Sequence, residues 1–162
     1  MADFHPIFEF LMKYEGGYVH DPHDAGGETK YGISKRSFPN EDILHLTKER
    51  AEVLYRENYW NKLNGDFLQQ KVALTLFDFA VNSGVQTVVL ELQRALGVVV
   101  DGVFGSKTLV KLQDLDEKET KALIDRINDA RLQLYLRLGD KPTQRRFLLG
   151  WLRRLMAVVK EV

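Results

Sequence analysis

The 162-residue chain contains no cysteine, so neither a disulfide nor a thiolate-bound metal supports its fold. It has no net charge either, since 23 Lys and Arg balance 23 Asp and Glu. No overall field therefore draws it to nucleic acid or to a membrane surface. No uninterrupted apolar run approaches the roughly 20 residues of a membrane span. Residues 1–6 lack the basic patch and apolar run of a signal peptide, so the chain is expected to accumulate in the cytoplasm. Low-complexity tracts, internal repeats and long linkers are missing as well. What is left is the composition of an ordinary globule, 44% hydrophobic and 28% charged, long enough to bury a core. Nothing in it demands more than a monomer.

The charge that is present is segregated. Residues 1–30 hold six acids and two bases, whereas residues 131–162 hold eight bases and two acids. An acidic front and a basic tail, with Arg145, Arg146, Arg153 and Arg154, suit a polyanionic target, although solvated helix faces produce the same asymmetry.

The dominant period is helical. Phe4, Ile7, Phe8, Leu11 and Tyr14 fall on one face of a first helix, with Asp3 as its cap and Glu15 at its end. Thr47 is placed to cap a second helix carrying Ala51, Leu54, Tyr55 and then Tyr59-Trp60. Val72 to Val81 make a strongly apolar helix that stops at Asn82-Ser83-Gly84, and the next one ends at Gly97. A short helix is expected near Thr108 to Leu112, a long one from Asp116 to Gly139, and a last segment from Thr143.

One stretch departs from this period. Glu15-Gly16-Gly17-Tyr18 runs into Asp21-Pro22-His23-Asp24-Ala25-Gly26-Gly27-Glu28-Thr29-Lys30-Tyr31-Gly32-Ile33, poor material for a core and good material for a site. Tyr18-Val19 and Tyr31-Gly32-Ile33-Ser34 read as a short irregular hairpin. A carboxyl at the end of an aromatic-rich helix, beside an open glycine loop, suits glycoside hydrolysis. That reaction ordinarily uses two carboxyl groups, one of them kept protonated by an apolar setting. Glu15 is the candidate acid; Asp24 and Asp21 compete as the second carboxylate, and Thr29 is a candidate to position water or touch sugar. Tyr18, Tyr31, Tyr59 and Trp60 are candidates to stack on sugar faces. Asn82 is read either as a cleft amide or as part of a helix C-cap, and Asp78, one turn earlier, as its orienting partner. His20, Asp21, His23 and Asp24 crowd one loop without the ligand set of a zinc or calcium site, so no metal and no cofactor is expected.

These motifs resemble glycoside hydrolase family 108, lysozyme-like N-acetylmuramidases that include the so-called secretion activator proteins. The resemblance rests on Glu-Gly-Gly-Tyr followed by Asp-Pro-x-Asp-x-Gly-Gly-x-Thr-x-x-Gly-Ile-Ser. It continues through Tyr59-Trp60-x-x-Leu63-Asn64-Gly65-Asp66, Phe77-Asp78-x-Ala80-Val81-Asn82-Ser83-Gly84 and Phe147-x-x-Gly150-Trp151-x-x-Arg154. It implies that Glu15 is the catalytic acid. The spacing of Glu15 and Asp24 is also similar to that of phage-type lysozymes, with Thr29 one residue closer to Asp24 than in that pattern. Asn82-Ser83-Gly84 resembles the Asn-x-Gly of endolysin saccharide clefts. Leu92-Gln93-x-x-Leu96-Gly97 through Asp101-Gly102-x-Phe104-Gly105-x-x-Thr108 is similar to the repeat of peptidoglycan-binding modules, where these turns hold either glycan or only the fold.

The resemblance implies a mainly α, lysozyme-like fold with a small irregular, glycine-rich β lobe. It implies a catalytic segment at residues 1–86 and a helical, peptidoglycan-binding-like segment at 87–162, packed as one unit. The expected activity is cleavage of the β-1,4 bond between N-acetylmuramic acid and N-acetylglucosamine in peptidoglycan glycan strands, after release by a holin or another export route. A non-catalytic wall-binding or secretion-associated module and a lytic transglycosylase are the alternatives.

Overall fold

The computed structural model describes residues 1–20 and 27–162. The chain divides into two compact units, the smaller running from Phe4 to Asn58 and the larger joining Met1–Asp3 to Tyr59–Val162.

In the smaller unit, helix α1 (Phe4–Met12) buries Phe4, Ile7, Phe8, Phe10 and Leu11, a stripe at helical spacing that needs an apolar partner. Helix α2 (Lys48–Tyr55) supplies it with Ala51, Leu54 and Tyr55, and the rings of Phe8 and Tyr55 lie 6.0 Å apart. Thr47 caps α2 as expected, its Oγ1 accepting from the Arg50 amide at 3.2 Å. Glu9 and Lys48 pair across the helices at 2.7 Å, but exposed pairs of this kind contribute little beside the buried stripe.

Three very short strands, β1 (Val19–His20), β2 (Glu28–Lys30) and β3 (Ile33–Ser34), form an antiparallel sheet in that order. Thr29 is its middle residue, paired with Val19 on one side and Ser34 on the other. The Lys30–Ile33 pair closes a two-residue turn, Tyr31-Gly32, with φ of 52° and 74°. Positive φ at both central residues is the type I′ pattern, whose twist matches that of the strands. Helix α1 is shorter than its apolar period suggested. It ends at Met12, and Tyr14 and Glu15 follow in tight turns whose amides both donate to the Leu11 carbonyl.

In the larger unit, helix α3 (Gln70–Ser83) is buried at every position from 72 to 80, as a central helix must be. Helices α4 (Val85–Leu96), α6 (Glu117–Gly139) and α7 (Leu148–Glu161) pack on it, and α5 (Ser106–Gln113) packs on α4. The long helix α6 starts where expected, through a reciprocal capping box between Asp116 and Glu119. A Cβ at Gly139 would stand 2.7 Å from Leu148 Cδ2, so that glycine permits the close approach of α6 to the start of α7. The last helix begins later than Thr143: a single 3₁₀ turn, Arg145–Phe147, precedes it. No described helix is long and apolar enough to cross a membrane.

Candidate active site

Glu15 is half-buried in the smaller unit, at the point where the turns after α1 meet the β2–β3 hairpin. The Tyr31 amide donates to the Gly16 carbonyl at 3.2 Å, which fastens the hairpin turn to the Glu-Gly-Gly segment. The Tyr55 hydroxyl donates to the Tyr31 carbonyl at 2.9 Å, which fastens the same turn to α2. Between these two anchors lies Gly32. A Cβ on it would stand 2.5 Å from Glu15 Oε2 and 2.8 Å from Cδ, and closer still to the Tyr55 hydroxyl. The glutamate carboxyl, the turn backbone and the tyrosine hydroxyl therefore converge on one spot.

That convergence explains two backbone features at once. Gly32 is required both for its φ of 74° and for the room it leaves. Tyr31, a bulky residue at φ 52°, is a conformation rarely adopted by such side chains, held in place by the two hydrogen bonds that bracket it. Strained backbone beside a carboxyl in a polar loop points to a functional constraint. Tyr55 and Gly32 carry this architecture, yet neither stands out as a site residue in the sequence. Tyr55 sits on an apolar helical face and reads as core.

The other residues expected in this region fall as follows. Tyr18 is exposed and donates its hydroxyl to Glu28 Oε1 at 2.8 Å. That hydrogen bond, followed by partial burial, raises the tyrosine above its ordinary value, so the hydroxyl stays protonated. Glu28, not singled out in the sequence, thus neighbours the candidate sugar-stacking ring. Thr29 is half-buried at the centre of the sheet, with its hydroxyl bonded to no described residue. Asp21 and Asp24, together with the Asp-Pro turn and the His20–Asp24 cluster weighed as a metal site, lie outside the described residues, His20 itself excepted.

The candidates in the larger unit divide sharply. Trp60 is 0% exposed and its indole donates to Asp66 at 2.9 Å, while a Cβ at Gly65 would run into its ring. No face of Trp60 is left for a sugar, and the Tyr59-Trp60-x-x-Leu63-Asn64-Gly65-Asp66 motif is a packing device. Tyr59 is half-buried, edge-on to Phe77. Asp78, too, faces the core and not a substrate. It is 1% exposed and bonded to Arg131 Nη2 at 2.6 Å and to Arg154 Nε at 2.7 Å, so it ties α3 to α6 and α7 instead of orienting Asn82 for substrate. Arg154 is consequently buried and leaves the group of arginines expected to meet a polyanionic target. Asn82 is half-exposed in the last turn of α3, and its Nδ2 is a buried donor without a partner. Gly84, the C-cap, closes the helix through its own amide on the Ala80 carbonyl, so the cap does not use the asparagine side chain.

The loop between α4 and α5 is organised around buried Gln93. Its Nε2 donates to Asp101 Oδ1 at 2.8 Å and to the Val103 carbonyl at 3.1 Å, and its Oε1 accepts from the Gly102 amide at 2.8 Å. Gln93 thus ties residues 101–103 to α4, while Asp101 itself stays exposed.

Two family models match the chain: glycosyl hydrolase 108 over residues 8–84, and a family described as a predicted peptidoglycan domain over residues 87–156. The solved structure of Brucella abortus SagA is 35% identical, with a TM-score of 0.83, and the match covers 98% of this chain and 92% of that one. No curated protein matches. The fold is the mainly α, lysozyme-like one.

Proposed function

The chain belongs to the glycosyl hydrolase 108 family, and from that premise we propose that it is an N-acetylmuramidase. It cleaves the β-1,4 bond between N-acetylmuramic acid and N-acetylglucosamine, with Glu15 as the acid that protonates the leaving oxygen. The observation that carries this reading is the lodging of the Glu15 carboxyl over Gly32, beside the Tyr55 hydroxyl. A general acid must be held at a defined point relative to its substrate, and three separate segments of the smaller unit hold this one.

Asp24 or Asp21 supplies the second carboxylate, which either activates water or faces the developing cation. The unpartnered hydroxyl of Thr29 positions water or a sugar hydroxyl. Tyr18 and Tyr31 offer ring faces to the glycan, and Asn82, half-exposed in the last turn of α3, offers a side-chain amide to an N-acetyl group or a ring hydroxyl. The match to a peptidoglycan domain over residues 87–156 supports the wall polymer as substrate. The division into a catalytic segment at 1–86 and a wall-binding segment at 87–162 follows from the same reading, as does export by a separate route before the enzyme meets the wall.

The test is digestion of purified peptidoglycan by the wild type and by Glu15→Gln, with mass spectrometry of the released ends. Reducing N-acetylmuramic ends are expected from the wild type, with the variant slower by about 10²–10⁴-fold, the range of general acid catalysis. Anhydro ends would make the protein a lytic transglycosylase. No release by either protein, with wall binding intact in both, would make it a binding module.

A further inference from the structure

The larger unit contains a cleft of about 1100 Å³ that none of the catalytic candidates lines. Its floor is one stripe of α6: Thr120, Ile124 and Asn128, spaced four residues apart and all buried. Val159 of α7 and Gln69, just before α3, form its walls. The stripe is polar, apolar and polar in turn, and spans about 12 Å at the helical rise.

Asn128 is the anomaly. It is only 8% exposed, its Oδ1 is a fully buried acceptor without a partner, and its side chain bonds no described residue. Buried side-chain amides are nearly always satisfied, and an exception calls for an unseen water or a ligand. Thr120, at the other end of the stripe, has only a long contact, accepting from Gln69 Nε2 at 3.5 Å. The rim carries Lys71, Lys118 and Lys121 against Asp116, Glu117 and Asp125, with Lys71 Nζ donating to Val162 O at 2.7 Å, so the side-chain charges balance and no excess of positive charge is left. A balanced rim does not select a polyanion. It suits a neutral or zwitterionic ligand.

We propose that this cleft is a recognition site for an amide-bearing segment of peptidoglycan, separate from the bond-cleaving site. The buried Oδ1 is out of a ligand's reach, so Nδ2 is the atom that can meet one in the cleft, and the carbonyl of a ligand amide is its natural counterpart. The apolar Ile124 between the polar ends receives the methyl group that accompanies such amides, whether in an N-acetyl sugar or in an alanine of the stem peptide. The alternative place for wall binding in this unit, the 98–105 loop, has Asp101 Oδ1, the Gly102 amide and the Val103 carbonyl engaged by Gln93. The proposal rests on the peptidoglycan reading above but not on Glu15.

The experiment titrates the full chain carrying Glu15→Gln, expected to slow turnover, with an N-acetylglucosamine tetrasaccharide and separately with a stem tetrapeptide. Binding is followed by amide NMR and calorimetry, with and without Asn128→Leu. The leucine matches the amide in size and removes a partnerless polar group, so the melting temperature is expected to hold or rise. Shifts at Thr120, Ile124 and the Asn128 side chain, with affinity lowered about tenfold or more by Asn128→Leu, support the site. The tetrasaccharide arm identifies glycan acetamides as the ligand, and the peptide arm identifies stem amides. If neither probe shifts these residues, and Asn128→Leu binds whole sacculi as tightly as its parent, the proposal is overturned and the amide holds only water. With Glu15 intact, Asn128→Leu is expected to keep its turnover on a small soluble glycan. Loss of that turnover together with unchanged binding would also count against a separate site. If Glu15→Gln still hydrolyses the wall while Asn128→Leu fails to bind it, the catalytic assignment falls and this one stands.

Discussion

The Glu15 carboxyl fills the space that a side chain would need at Gly32. A Cβ there would stand 2.5 Å from Oε2, so the residue that is missing a side chain is what allows the acid to sit where it does. The relationship joins a turn in the chain just past α1 to a hairpin glycine seventeen residues further on, and it makes that glycine part of the candidate site.

Gly32→Ala is therefore expected to damage activity beyond its effect on stability. The left-handed backbone alone costs a non-glycine residue about 1–2 kcal/mol, and the added methyl must also displace the carboxyl. Chemical denaturation measures the first effect. The second appears as a loss of kcat on peptidoglycan larger than the folded fraction explains.

Tyr55→Phe removes only a hydroxyl from a buried ring. It deprives the Tyr31 carbonyl of its partner at 2.9 Å, an expected loss of about 0.5–1.5 kcal/mol. Because the same bond holds Tyr31 at its unusual φ, turnover is expected to fall while wall binding through the larger unit persists. Unchanged kcat would show that the hairpin turn is fixed without it.

Asp78 makes the opposite prediction. Asp78→Ala leaves Arg131 and Arg154 buried without their shared carboxylate, and breaking a buried pair of this kind costs about 3–5 kcal/mol. The melting temperature is expected to drop steeply, and any remaining folded protein to keep its affinity for the glycan. A selective loss of glycan affinity at unchanged stability would return Asp78 to the binding residues.

The loop around Gln93 should report on pH. The Val103 amide, and after it the Gln93 side chain, hold the Asp101 carboxyl below its ordinary value of 3.8. A depressed carboxylate contributes stability above its unfolded value and loses it as pH falls through the folded one. Wild type is thus expected to be more stable than Asp101→Ala at neutral pH. The gap should close as the pH is lowered below about 4. Thermal melts of both proteins across that range check it; a gap independent of pH would mean that the carboxylate's charge plays no part.

The helical framework was legible because its signals are local. Thr47, Asp116 with Glu119, Gly84 and Gly97 mark helix ends through hydrogen bonds or dihedrals within a few residues of themselves, and each does so in the structure. Helix α1 ends, and the last helix begins, inside the limits their apolar period suggests, since that period continues past the point where the backbone turns. Among the site candidates, Glu15 was legible as a carboxyl opening into glycines. The burial of Trp60 and Asp78 is not legible, because an aromatic or an acid near a polar loop carries the same letters whether it faces solvent or the core.

By itself, then, the sequence determined the mainly α class, the helix limits set by caps, the glycine-rich break after α1 and the family resemblance that singles out Glu15. All of these depend on residues close together in the chain or on their order. Tertiary structure alone decided that Tyr55 and Gly32 enclose Glu15, that Asp78 pairs with two arginines, and that Asn128 is buried in a cleft without a partner. Those outcomes follow from which faces meet when the chain packs. Burial and hydrogen bonding are properties of the meeting, not of either segment before it.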